Sequence, residues 1–254
     1  MALFTDGPIS SMEDLTAQDS QLTNVASVEG IDVSQKIFIA QEQVAMDLLT
    51  ALNRFGYVDQ LFWLSPQPKL DRVVVTPPLK LWHTAHSLEL VYGDAYNSQL
   101  NDRYAGRRDQ FHVLAKWAYE KLIEIGVGIA AHPVPKAAMP TVTPFPGALA
   151  DGLYYVTMAW DNAGGDEGGA ATETAISTTS STFLVGAATA PQTAAGWNVY
   201  AGASPDAMFR QNTSVLTVGQ TWEQPAVLVQ TGVLPGKGQN PTYLRPLPRV
   251  LQRG

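Results

Sequence analysis

The chain has no cysteine, which excludes disulfides and thiolate metal sites but leaves the compartment open. Its four histidines, His83, His86, His112 and His132, all lie before Pro133. No apolar run approaches the roughly 20 residues of a membrane span. Met1 to Ser11 has neither a basic start nor an apolar stretch, so no secretory signal is expected. Charged residues make up only 15% of 254 positions, with a net charge of -7. That charge divides as 11 Lys and Arg against 16 Asp and Glu in residues 1–140, and 5 against 7 in residues 141–254. Neither half has the net positive character that releases counterions from phosphates, so sequence-specific DNA reading is not expected. Acidic residues stop at Glu223, which leaves a basic end carrying Lys237, Arg245, Arg249 and Arg253.

What is present divides at a proline seam. Pro133, Pro135, Pro140, Pro144 and Pro146 fall within fourteen positions, removing backbone donors and pushing their predecessors toward extended conformations. Neither a continuous helix nor a central strand can cross such a stretch, and it reads as a linker that proteases should find first. Before it, the pattern is helical. A hydroxyl cap at Ser10 or Ser11 opens a short helix and Gly30 interrupts. Val33, Ile37, Ala40, Val44, Leu48 and Leu52 then form one stripe on a helix from about Asp32, its cap, to Phe55, with Gly56 as the stop. Val73 to Val75 favour a short strand or extended link closed by Pro77 and Pro78. One further helix starts at Leu79 and another at about Asn101, the latter ending at Gly126.

After the seam the period changes to two. In Gly152 to Trp160, Tyr154, Val156 and Met158 alternate with Tyr155, Thr157 and Ala159, as in a half-buried strand. Asp161 to Gly169 supplies a glycine-rich turn. Short strands are predicted at Glu173–Ser177, Ser181–Val185, Trp197–Ala201, Ala207–Gln211 and Ala226–Gln230, enough for a sandwich of roughly a hundred residues. The fold class is therefore α+β in two domains, an N-terminal helical bundle over 1–132 and a C-terminal all-β sandwich over 148–235. The linker takes 133–147 and the basic, proline-containing tail 236–254.

No cofactor, metal or catalytic set emerges. His83, His86 and Glu89 share a helix face, but no fourth zinc ligand is visible and the usual helical spacing is absent. Gly126, Gly128 and Ala131 have the spacing of a dinucleotide loop in the wrong context, after a helix, and read as a helix C-cap. Gly236-Lys237-Gly238 lacks the rest of a phosphate loop. Asp161, Asn162, Asp166 and Glu167 could offer oxygens to calcium but match no established loop, and an exposed polar turn is the preferred reading. Tyr154, Tyr155, Trp160, Trp197, Tyr200 and Trp222 could include a sugar-stacking platform, although strand aromatics are more often core. The mixed-sign face with Arg103, Arg107, Arg108, Asp109, Lys116, Glu120, Lys121 and Glu124 suits solvent or a neighbouring subunit.

The run Leu88-Glu89-Leu90-Val91-Tyr92 through Asp94-Ala95-Tyr96-Asn97, then Asp102-Arg103-Tyr104 and Ala115-Lys116-Trp117-Ala118, resembles the head-to-tail connector, or adaptor, proteins of tailed bacteriophages. So does Met12-Glu13-Asp14-Leu15 followed by a long helix from Asp32. This resemblance covers residues 1 to about 132. In the second half, Tyr154-Tyr155-Val156-Thr157 with Asn162-Ala163-Gly164 and Glu167-Gly168 is similar to the late strand and loop of fibronectin type III or immunoglobulin-like modules. Gly196-Trp197-Asn198-Val199-Tyr200 is similar to their central aromatic strand, with the late-type strand coming first in this chain.

The resemblance implies a non-enzymatic virion protein, made in the host cytoplasm, that forms a ring of about 12 copies. The ring would dock on the portal protein, meet a tail or second neck protein, and let DNA pass its lumen without sequence-specific binding. An acidic wall would suit that passage, because like charges avoid phosphate-binding friction. Expected subunit or portal contacts are Arg103, Arg107, Arg108, Lys116 and Lys121, with Tyr243, Arg245, Arg249 and Arg253 of the tail. The sandwich would stand outside the ring as an appendage. An alternative reading from another class is an oligomeric module whose sandwich binds a glycan on the host surface.

Overall fold

The computed structural model describes residues 2–56, 69–99, 102–236 and 238–245. They build two compact units, one helical and one of β-structure, in a mixed α+β layout. Neither unit is one contiguous stretch. The β unit takes the described residues up to Asp6 and then Ala130–Pro241, while the helical unit takes Gly7–Ile129 and the residues from Thr242. Among the described residues, no helix is long and apolar enough to cross a membrane.

In the helical unit, local signals set the helix ends. Helix α1 (Met12–Gln18) starts at a capping box in which Ser11 and Asp14 satisfy each other's backbone amides. It stops at Asp19, and a separate α2 (Leu22–Glu29) follows where a single short helix was expected. The break has a cause: Asp19 is buried, accepting hydrogen bonds from the Gln21 amide and the Tyr92 hydroxyl. Gly30 closes α2 in the left-handed region at φ 68°. Helix α3 (Val33–Gly56) is capped by Asp32, whose Oδ1 accepts from the amides of Ser34 at 2.9 Å and Gln35 at 3.2 Å.

Of the short strand or extended link expected at Val73–Val75, the link forms: a 3-10 turn at Leu70–Arg72 leads into it, and an isolated bridge joins Val73 to Ile129. Pro77 and Pro78 do not precede helix α4 (Pro77–Gln99) but form its first turn, where a missing N–H costs nothing. Helix α5 (Ala105–Ile125) ends at Gly126, as the C-cap reading required. Gly126 has φ 110°, and a Cβ there would come within 2.9 Å of the Leu244 carbonyl oxygen. That close approach lets β1 (Val127–Ile129) pair antiparallel with β10 (Thr242–Leu244), so this part of the tail folds onto its own chain.

Helix α4 is the centre of this unit, packing against α1, α2, α3 and α5. Leu88, Val91, Tyr92 and Ala95 meet Leu15, Leu22, Val33, Ile37 and Phe111 in one core. Tyr92 and Phe111 stack with ring centroids 5.6 Å apart.

The β unit has two antiparallel sheets around one core. The larger has the order β4 (Thr174–Thr178), β3 (Gly152–Asn162), β6 (Ala194–Gly202), β7 (Phe209–Arg210), with β8 (Leu216–Thr217) also on β6. In the smaller, β5 (Ser181–Gly186) lies between β2 (Thr141–Pro146) and β9 (Thr221–Glu223). Tyr154, Val156, Met158 and Trp160 of β3 meet Phe183 and Val185 of β5 and Trp197 and Val199 of β6 in the core. Strand β3 is not half-buried as expected, because Thr157 and Ala159 on its other face are also covered, Ala159 by Tyr200 and Met208. Segment 226–230 forms no strand, and short β8 and β9 take the sheet positions instead.

The seam corrects the expected linker at 133–147. Val134, Ala137 and Pro140 are buried at every third residue, the repeat of a polyproline-type chain. Thr141–Pro146 then pairs with β5 at all six positions. Pro144 and Pro146 are tolerated because β2 is an edge strand, with one side that needs no donors. Before β2 there is no ladder, and the Gln239 side chain acts as one. Its Oε1 accepts from the Val134 amide at 2.8 Å and its Nε2 donates to the Val134 carbonyl at 2.9 Å. Gly168 lets the seam pass, since a Cβ there would lie 2.9 Å from the carbonyl oxygens of both Val134 and Pro135.

Limited proteolysis of the native chain is expected to spare 133–146, reversing the sequence-based expectation. Gln239→Ala strips two buried backbone groups of their partners and should lower β-unit stability by about 2–3 kcal/mol in denaturant titrations. An unchanged midpoint together with early cleavage in the seam would restore the linker.

Candidate functional site

On the outward faces of α3 and α5, large apolar side chains of the helical unit are exposed to solvent. Helix α3 buries Val33, Ile37, Ala40, Val44, Leu48 and Leu52, and Phe38, Glu42, Met46 and Leu49, spaced by three or four, line its other side. Phe38 is 62% exposed, Met46 61% and Leu49 41%. On α5, Val113 is 65% and Trp117 48% exposed, one turn apart, with Lys116 beside them. Of these residues only Lys116 was named among the expected contacts. The available signal was the apolar residues left over once the core stripe had been assigned.

The expected basic contacts are mostly engaged within the chain. Arg107 Nη1 donates to Gln110 Oε1 at 3.2 Å. Arg108 donates through Nε and Nη2 to Asp109 Oδ1 at 2.9 and 2.8 Å, and its guanidinium lies 4.6 Å from the Tyr96 ring centroid. The Arg103 guanidinium is 5.4 Å from the Tyr104 ring. Lys121 pairs with Glu124 at 2.6 Å. Lys116 is exposed and has no partner among the described residues. Such surface pairs hold side chains lightly, typically for less than about 1 kcal/mol. Tyr243 is exposed on β10, and Arg245 Nε donates to the Ile125 carbonyl at 2.8 Å, capping the end of α5. Arg245 also lines a shallow groove with Tyr119, Glu120, Ile123 and Glu124. Arg249 and Arg253 lie outside the described residues.

The histidine face separates into two roles. His83 is fully buried, with Nε2 3.2 Å from the Ile37 carbonyl oxygen and Nδ1 2.9 Å from Ser10 Oγ. A carbonyl can only accept, so Nε2 carries the proton and Nδ1 accepts from Ser10. Burial pushes His83 down to about 4 from its ordinary 6.5, keeping it neutral. His86 and Glu89 are half-buried in a chain that spans three helices. His86 reaches Gln43 of α3 through Nε2 at 2.6 Å and Glu89 through Nδ1 at 3.0 Å, while His112 of α5 lies 2.8 Å from the other oxygen of Glu89. The hydrogen bond from His86 is the largest influence holding the Glu89 carboxyl below its usual range.

The glycine-rich turn is exposed, as expected, only at its tip, Ala163 to Gly165. Asp161, Asn162 and Glu167 are buried. Asn162 builds the turn, its Oδ1 accepting from the amides of Gly164 and Asp166 and its Nδ2 donating to the His132 carbonyl. Glu167 Oε1 accepts from both Asn198 Nδ2 and the Tyr200 hydroxyl. Burial, then the neighbouring charge of Glu167, pushes the Asp161 carboxyl up. Burial and the bond to Glu167 push the Tyr200 phenol up. Asp161 and Glu167 are thus occupied by β6 side chains, and Asp166 by Asn240. Among the described residues no group of three or more His, Asp or Glu is placed to hold a metal ion. Tyr154, Trp160, Trp197 and Tyr200 are buried, leaving only Tyr155 and Trp222 of the expected aromatic platform partly exposed.

No protein-family model and no curated protein matches this sequence.

The neutral His83 sets a pH dependence. The unfolded chain takes up a proton below about pH 6.5 and the native chain does not until about pH 4. Stability from this site is therefore complete above pH 6.5 and falls as pH drops toward 4, by up to about 3 kcal/mol. Denaturant titrations of the wild type and His83→Gln across that window should show a shallower slope in the variant. Parallel slopes would remove His83 as the cause.

Proposed function

We propose that this chain is a structural protein whose helical unit assembles into a ring, as a head-to-tail connector in the neck of a tailed-phage virion. In this reading it docks on the portal protein and extends the DNA channel toward the tail. The observation that carries the proposal is the pair of outward apolar stripes, Phe38, Met46 and Leu49 on α3 and Val113 and Trp117 on α5. Large apolar side chains left exposed at helical spacing on two helices are the surface that this reading assigns to association. Two such stripes on different helices suit a subunit with a neighbour on each side. The acidic excess over residues 1–140 fits a wall along which DNA slides without sticking.

We read the β unit as a fibronectin type III or immunoglobulin-like module whose late strand comes first. Two antiparallel sheets around one core support this. So does the pairing of the late-type strand β3 with the central aromatic strand β6, which sets Trp160 opposite Trp197. The glycan reading loses support because its best stacking residues, Trp160 and Trp197, are spent in the core. The module then serves as a decoration of the neck.

Negative-stain imaging and light scattering of the purified full chain, alone and mixed with portal protein, test the assignment. Rings or portal-bound caps are expected, and Trp117→Ser should shift the population toward monomer. Monomers indifferent to portal at every concentration would sink it.

A further inference from the structure

The outward stripes do more than suggest association, because their placement restricts how copies can meet. Helices α3 and α5 both pack along α4, and far more on it than on each other, so they flank it. The polar chain from Gln43 through His86 and Glu89 to His112 crosses the same three helices in that order. The unpartnered stripes are therefore the two edges of a helical layer.

A two-fold contact through α3 would cover Phe38, Met46 and Leu49 but leave Val113 and Trp117 in water. It would also bring Glu42, near the middle of its stripe, against its own copy. A two-fold contact through α5 has the converse fault, with Lys116 meeting Lys116. Placing α3 of one copy against α5 of the next covers both stripes with one kind of contact and sets acid against base. Glu42 and Lys116 are both exposed and have no partner among the described residues. Head-to-tail contacts of this type close into rings when the rotation permits, whereas two-fold contacts stop at a pair.

We infer that copies of this chain join head to tail through α3 of one and α5 of the next, Phe38, Met46 and Leu49 packing on Val113 and Trp117, with Glu42 facing Lys116. The inference rests on the connector reading for its ring but names a surface that the reading does not.

Because the chain has no cysteine, introduced thiols report contacts without background. Met46→Cys and Val113→Cys are made singly and together in the full chain, both at exposed positions, with circular dichroism checking the fold. They are oxidised at the highest soluble concentration, with and without portal protein. Mixing the two single variants should give a cross-linked pair that neither gives alone, and the double variant should give a ladder of covalent oligomers.

Charge reversal supplies an independent arm. Lys116→Glu alone should weaken association about tenfold, and adding Glu42→Lys should restore it by rebuilding the pair reversed. Cross-linking of Met46→Cys with itself and not with Val113→Cys would overturn the inference in favour of a two-fold contact. Rings in negative stain without the mixed cross-link would overturn the inference while leaving the connector reading intact. Mixed cross-links in a chain that ignores portal would support the contact and remove the connector reading. No cross-link under any condition overturns the inference.

Discussion

Every buried backbone amide and carbonyl needs a partner, and the β unit is built around meeting that need with few regular strands. Outside the β3–β6, β3–β4 and β2–β5 ladders its strands are short: β7 and β8 have two residues each and β9 three. Side-chain amides complete the pairing. Gln239 holds Val134 from both sides, as an adjacent strand would. Gln211 does the same for Val229, accepting from its amide at 2.9 Å and donating to its carbonyl at 3.1 Å. Asn212 accepts from the Val199 amide and donates to Asn198, which in turn reaches Glu167. Segments that propensity would leave as loops are thereby fixed against the sheets, and the outer face of β3 and β6 becomes a second buried layer.

The helical unit meets the same requirement along one helix. Helix α4 is covered on several sides, so its buried polar residues, His83, Thr84 and Ser87, find partners within the protein. Thr84 and Ser87 bond back to the carbonyls of Lys80 and His83, and His83 bridges Ser10 and the Ile37 carbonyl. Tyr92 closes on Asp19. A central helix so occupied fixes the positions of α1, α2, α3 and α5 around it, and the apolar residues that α3 and α5 have beyond one stripe each remain on the outside.

Features decided within a turn or two of chain were legible in the sequence. Ser11 with Asp14, Asp32 with Ser34 and Gln35, and the stop at Gly126 depend on neighbours two to four residues away. So were the alternating core residues of β3 and the broad division into helix and strand. The seam was not, because its identity as a strand depends on β5, whose Ser181 pairs with Pro146, and on Gln239, 105 residues from Val134. The proline argument was sound as far as it went: it excluded a central strand, and β2 is an edge. Glu167 looked like part of a solvated turn because nothing local announces that Asn198 and Tyr200 will enclose it. The outward stripes were hidden for another reason. A helix with apolar residues on two sides looks like a helix with a good core face, and only packing tells which side is spent.

The same packing argues that association is directed to the helices. Unpaired strand edges are the common route to unspecific pairing between chains. Here the longest edge of the smaller sheet, β2, carries Pro144 and Pro146, and its other edge, β9, has three residues with Pro225 soon after. In the helical unit, β1 is flanked by the Val73 bridge on one side and β10 on the other, which commits Thr242–Leu244 of the tail within its own chain. The chain also passes between its units three times, after Asp6, Ile129 and Pro241, so the β unit is not an appendage hung on one tether. With these strand edges shortened, blocked or filled, the stripes on α3 and α5 remain as apolar surface open among the described residues of the helical unit. Unlike a bare strand edge, each has a fixed spacing of side chains and a charge beside it, which is what a contact needs if it is to repeat at one angle from copy to copy.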